Sequence, residues 1–101
     1  MAQARAATER IRSGKPLSIL DGVPLPVKDE LDMLPFGTTV GTRFLGKSPA
    51  SQDSTVVARM RSSGALMVGK CNMHEIGIGV TGQYTHYGTV RNPYNPNHHT
   101  G

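Results

Sequence analysis

The chain reads as an α/β unit, and three observations carry that reading. A helical segment over about 53–63 runs straight into a continuous apolar stretch, Ala65-Leu66-Met67-Val68-Gly69. A helix that feeds directly into a short buried strand is the repeating step of α/β layers. A second apolar segment, Val23-Pro24-Leu25-Pro26-Val27, is extended because two prolines exclude a helix interior. The N-terminus is rich in alanine and supplies a further helix.

In order along the chain, Ala2, Ala4, Ala6 and Ala7 favour a helix, Ile11 gives it an apolar contact, and Gly14 stops it. Residues 15–21 form a polar connector that ends in Leu17, Ile19 and Leu20. The strand of residues 23–27 cannot be a fully paired central strand, since proline donates no ladder hydrogen bond. Residues 32–50 carry Pro35, Gly37, Gly41, Gly46 and Pro49, and read as irregular loop with at most a short strand near 39–44. The helix that follows starts at a Ser51 or Asp53 cap and buries Val56, Val57 and Met60. Its Arg59 and Arg61 turn outward, and Gly64 closes it in the left-handed conformation. Ala65–Val68 is the buried strand and Asn72–Ile76 a brief helix. From Gly77 onward Gly, Asn, Pro and His give loop.

Composition narrows the function classes. The chain has 101 residues, a net charge of +4, 12 glycines, 7 prolines and no tryptophan. One small domain is allowed, with few large side chains to fill a core. The basic residues are scattered: Arg5, Arg10, Arg12 and Lys15 at one end, Arg59 and Arg61 on a separate helix. No dense basic run interleaves with aromatics, so a nucleic-acid partner is not expected. Cys71 is the single cysteine; it excludes an intramolecular disulfide and reads as a small buried hydrophobe. The N-terminus lacks an apolar leader core, and no apolar stretch nears the roughly 20 residues of a membrane span. An intracellular protein is the expectation, with peripheral membrane association left open.

Two motifs carry chemistry. The first is Gly22-Val23-Pro24-Leu25-Pro26-Val27-Lys28-Asp29. Strand alternation sets Pro26 and Lys28 on one face and Leu25, Val27 and Asp29 on the other. An amine among apolar neighbours loses solvation, which favours its neutral form, and a neutral amine can accept a proton from a serine hydroxyl. Taken alone, a lysine before an acidic residue is more often a solvated surface charge. The second motif is Gly69-Lys70-Cys71-Asn72-Met73-His74-Glu75, followed by Tyr87-Gly88-Thr89-Val90-Arg91-Asn92-Pro93 and Thr100-Gly101. His74 and Glu75 diverge as neighbours on a helix, so Glu75 reads as a brace for its turn. Arg91-Asn92-Pro93 reads as a pin for its loop. His74, His86, His98 and His99 lack metal-ligand spacing, so no metal and no cofactor is expected.

In order and spacing these motifs resemble the amidase signature family, whose members hydrolyse carboxamides with a Ser–Ser–Lys triad. The resemblance covers roughly residues 15–101. It implies a mixed sheet flanked by helices, as the N-terminal portion (1–101) of a single amidase domain, truncated before the Gly/Ser-rich segment. It implies Lys28 as the triad lysine, with both serines beyond Gly101, so this chain alone is expected to be inactive. Met73 sits where the family lines its acyl-binding region; the resemblance makes it a substrate-binding residue, and core filler is an equal reading. The implied partner is a small-molecule or lipid amide substrate, with a homodimer of the longer protein left open. His74, the Ile76-Gly77-Ile78-Gly79 run and Tyr87-Gly88-Thr89 look closest to plant-type fatty acid amide hydrolases. The alternatives are the amidase subunit of a tRNA-dependent amidotransferase, which more often has an acidic residue at position 74, and a non-catalytic truncated binding product.

Overall fold

A computed structural model describes residues 1–100. Two strands, β1 (Pro24–Lys28) and β2 (Leu66–Cys71), pair in parallel. The crossover between them contains helix α2 (Thr55–Ser62). Helix α1 (Ala2–Arg12) precedes β1, and one 3-10 turn, Glu75–Gly77, follows β2.

Helix α1 ends as its sequence dictates, with Gly14 in the left-handed region at φ 69°. Its buried residue, Ala7, lies against Gly22 at the entrance to β1. A methyl group on Gly22 would come within 3.3 Å of the Ile11 side chain, so the small residue sets how closely helix and strand approach. Helix α2 begins two residues later than expected, and its cap is Ser54, whose hydroxyl accepts from the Val57 amide. Asp53 is drawn off instead to the loop, where it accepts from the Leu34 amide at 2.7 Å and pairs with Arg61 at 2.6 Å. That pairing also corrects the outward orientation expected for Arg61, whose guanidinium in addition donates to the Leu34 carbonyl. Of the apolar residues expected to be buried on α2, Val57 is buried and Val56 is half exposed.

The core is small. Val27 of β1, Val57 of α2 and Met33 of the intervening loop form its buried centre, with Leu31 and Met67 packed against it. The loop of residues 32–50 stays irregular, with no strand at 39–44. Within it, buried Thr42 donates to the Thr39 carbonyl and accepts from the Leu45 amide.

The ladder contains one irregularity. Leu25 pairs with Met67, but Pro26 pairs with Gly69, so Val68 is an extra residue that opposes nothing. Gly69 takes φ 154° there, a backbone that β-branched and other side chains rarely adopt. After the bulge, Val27 pairs with Lys70 and Lys28 with Cys71. Cys71 therefore shares the open face with Lys28 and is exposed, not buried as its small apolar character suggested. No helix among the described residues is long and apolar enough to cross a membrane.

Candidate active site

Lys28 is the last residue of β1, and the chain turns immediately after it. The prolines at 24 and 26 hold the strand extended and contribute no amide hydrogens, while alternation sends Val27 and Asp29 inward and Lys28 outward. The Lys28 ammonium lies 3.2 Å from Glu30 Oε1. Its side chain is 51% exposed, so residues 1–100 do not strip this amine of water in the way its apolar neighbours suggested.

Lys28 borders an open cleft of about 370 Å³, shared with Asn72, Met73, His74, Val80 and Thr100. Met73 is only 3% exposed and yet lines this cleft. His74 packs its ring on Gly79, where an added methyl would fall within 2.0 Å of the imidazole. Its Nδ1 is buried and has no hydrogen-bond partner among the described residues. The cleft thus joins an amine, an amide, an imidazole and a thioether in one concavity.

On the inward face lies a polar cluster that sequence reasoning missed. Asp29 accepts from the Thr39 hydroxyl and from the Thr39 amide, the latter at 3.2 Å. It pairs with Lys70 at 3.0 Å. Lys70 also donates to the Leu31 carbonyl at 2.5 Å and to the Thr38 hydroxyl at 3.2 Å, and its side chain is only 11% exposed. Tyr84 closes the cluster with its hydroxyl 3.5 Å from that of Thr39. Burial pushes the Tyr84 phenol up from its ordinary value, against the hydrogen bond with Thr39 that lowers it. The alternation that put Asp29 on the face of Val27 was the available signal for this cluster.

The remaining sequence candidates are local. Glu75 faces His86 at 3.8 Å. Arg91 donates to the Pro96 carbonyl and the Asn92 amide to the His98 carbonyl, which pins that loop as expected.

The family model described as Amidase matches residues 1–101. The chain is 47% identical over 100 residues to the fatty acid amide hydrolase of Arabidopsis thaliana, covering 98% of this chain and 16% of that protein. It is 42% identical over 91 residues to a glutamyl-tRNA(Gln) amidotransferase subunit of Salinispora arenicola (strain CNS-205), covering 90% of this chain and 18% of that protein. A solved amidase crystal structure superposes with a TM-score of 0.79 at 39% identity, over 94% of this chain and 22% of that one. The chain therefore spans less than a quarter of each of these proteins.

Proposed function

The chain belongs to the amidase family, and on that premise we propose that it forms the N-terminal portion of a carboxamide hydrolase in which Lys28 is the terminal proton acceptor. Support comes from one observation above all: Lys28 ends a proline-stiffened strand at the rim of a cleft that also holds Met73 and Thr100. In the family's order the two serines follow the Thr-Gly position, and Thr100 lines the same cleft as Lys28.

In this reading the neutral Lys28 amine takes the proton of a bridging serine, which takes that of the nucleophilic serine. The nucleophile's oxygen bonds to the amide carbon, and the carbonyl oxygen becomes an oxyanion held by backbone amides. The proton returns from Lys28 through the bridging serine to the departing nitrogen as the C–N bond breaks. Water then repeats the sequence on the acyl-enzyme and releases a carboxylic acid. Of the three triad residues, residues 1–101 contribute the lysine.

The favoured substrates are fatty acid amides. The 47% identity to a fatty acid amide hydrolase and the buried thioether of Met73 in the cleft support this. The 42% identity to an amidotransferase subunit keeps ammonia production inside a complex as the second reading. The test is turnover of a long-chain primary amide by the purified enzyme that contains this segment, with no other polypeptide added. Lys28→Ala and Lys28→Arg should both abolish it, since guanidinium stays protonated and cannot act as a base. An active Lys28→Arg enzyme would overturn the assignment. Activity that requires co-purifying polypeptides and glutamine would favour the second reading.

A further inference from the structure

We propose that the Lys70–Asp29 ion pair, set by the bulge at Val68 and Gly69, is a positioning device for Lys28; the proposal rests on the reading of Lys28 as proton acceptor. The register of the ladder sets the pair. Continued without a bulge from Leu25–Met67, the ladder would pair Lys28 with Lys70. Two like charges would then sit side by side on one face, an unfavourable arrangement. The extra residue Val68 shifts every later partner by one, and a one-residue slip exchanges the two faces of a strand. Lys70 is thereby sent inward, beside Val27, and Cys71 takes its place opposite Lys28.

Inside, Lys70 holds the turn that follows Lys28. Its ammonium reaches the two residues that flank the turn after Lys28: the Asp29 carboxylate at 3.0 Å and the Leu31 carbonyl at 2.5 Å. The Asp29 amide donates to the Cys71 carbonyl at 3.1 Å, which extends the ladder one step beyond Lys28. The backbone that carries Lys28 is thus clamped on its far side by a nearly buried pair, while the Lys28 side chain itself pairs with the exposed Glu30. The clamp is also a charge balance. Asp29 is adjacent to Lys28 in sequence, and Lys70 neutralises it. The other groups facing Lys28 are Glu30 on the same segment, the Cys71 thiol across the ladder and His74 in the shared cleft.

The experiment uses the full-length enzyme that contains this segment and compares Lys70→Met, Asp29→Asn, the double variant, Lys70→Arg and Lys28→Ala. Readouts are turnover of a long-chain primary amide and, independent of substrate class, the rate of serine labelling by a fluorophosphonate, each across pH. Displacing the lysine should lower kcat and labelling in Lys70→Met by about ten- to a hundredfold. KM should stay within about threefold, because the lost interaction acts on the chemical step. The acid limb of the profile should move to higher pH in Lys70→Met, where Asp29 is left as an unpaired anion beside Lys28. It should move to lower pH in Asp29→Asn, where Lys70 is left as an unpaired cation, and return in the double variant. Lys70→Arg should keep most of the activity. Opposite limb movements are not a consequence of general loosening. Unmoved limbs with Lys28→Ala inactive would overturn the positioning role and leave Lys28 in place. Substantial turnover by Lys28→Ala would remove both. If Lys70→Met does not fold, Asp29→Asn, which keeps size and shape, decides by the direction of its limb.

Discussion

The Arg10 guanidinium grips the Asp21 carboxylate with two hydrogen bonds, of 2.8 and 2.7 Å, and so ties helix α1 to the entrance of β1. A third bond, from the Leu17 amide at 2.8 Å, completes the shell around a side chain that has no exposed surface. Bidentate arginine–carboxylate pairs combine charge with fixed geometry. The Arg10 hydrogen bonds, followed by that of Leu17, hold the Asp21 carboxyl down at about 2, below its ordinary 3.8.

A depressed carboxyl favours the folded state fully above its unfolded value and loses that contribution as pH falls through the folded one. The attachment of α1 should therefore be intact above about pH 4 and weaken as pH approaches about 2. Asp21→Asn should remove this part of the acid sensitivity and lower stability at neutral pH. Urea midpoints of the full-length wild type and variant across pH 2–7 check it. Parallel curves for the two proteins would refute the role of Asp21.

Gly64 gives the second prediction. It closes α2 at φ 90°, and an added methyl would lie 2.5 Å from the Asp21 carboxylate. Gly64→Ala should thus be strained in backbone and also push on the Arg10–Asp21 pair. The left-handed conformation alone costs about 1–3 kcal/mol for a residue other than glycine. The close contact with Asp21 adds to it, so the urea midpoint should fall by more than in Gly14→Ala, where nothing lies within 4 Å of the added methyl.

The third prediction concerns residues 1–101 as a separate polypeptide. Their accessible surface is 7122 Å², whereas a compact protein of this 10.8 kDa mass exposes about 5500 Å². The radius of gyration is 15.8 Å, against about 13 Å for a compact chain of 100 residues. Phe44, Val68, Ile78 and Val80 are well exposed, and each strand has one unpaired edge. Such a segment should aggregate or remain molten, with little amide-exchange protection. A soluble monomer with a cooperative unfolding transition would show the small core around Val27, Met33 and Val57 to be sufficient.

The sequence was most legible where local rules decide. Alanine content and Gly14 bound α1, the prolines kept residues 24–28 extended, and alternation separated Lys28 from Asp29. It was least legible where partners lie far apart along the chain. Asp53 leaves the cap position because the Leu34 amide and Arg61 compete for it, and neither contact is visible locally. Cys71 was read as buried from its small apolar character, and nothing local marks the extra residue at Val68 that exchanges the faces of Lys70 and Cys71. The same slip hid the Lys70–Asp29 pair, whose members are 41 positions apart. At the cleft, the lysine and Met73 followed from family resemblance, and the burial of Tyr84 from no sequence signal.

Met73 carries the last prediction, since the two roles proposed for it have different signatures. At 3% exposure it is buried, and it also lines the cleft beside Lys28. If it were filler alone, Met73→Ala would destabilise the full-length enzyme by about 2–5 kcal/mol and leave the ratio of kcat/KM values for long and short amides unchanged. If it contacts the acyl chain, the same truncation should weaken long-chain amides more than short ones. One or two lost methylene contacts are worth about 1–3 kcal/mol, or 10–200-fold in that ratio. Met73→Leu keeps the volume and should cost under about 1.5 kcal/mol in stability. It replaces a flexible thioether by a branched chain, so it should shift the preferred acyl length without unfolding the site. The expected outcome is a selectivity change in both variants and a large stability loss only in Met73→Ala. The measurement is kcat/KM for a series of primary amides of increasing chain length, alongside urea midpoints. A flat selectivity ratio in Met73→Leu, with stability held, would return Met73 to the core.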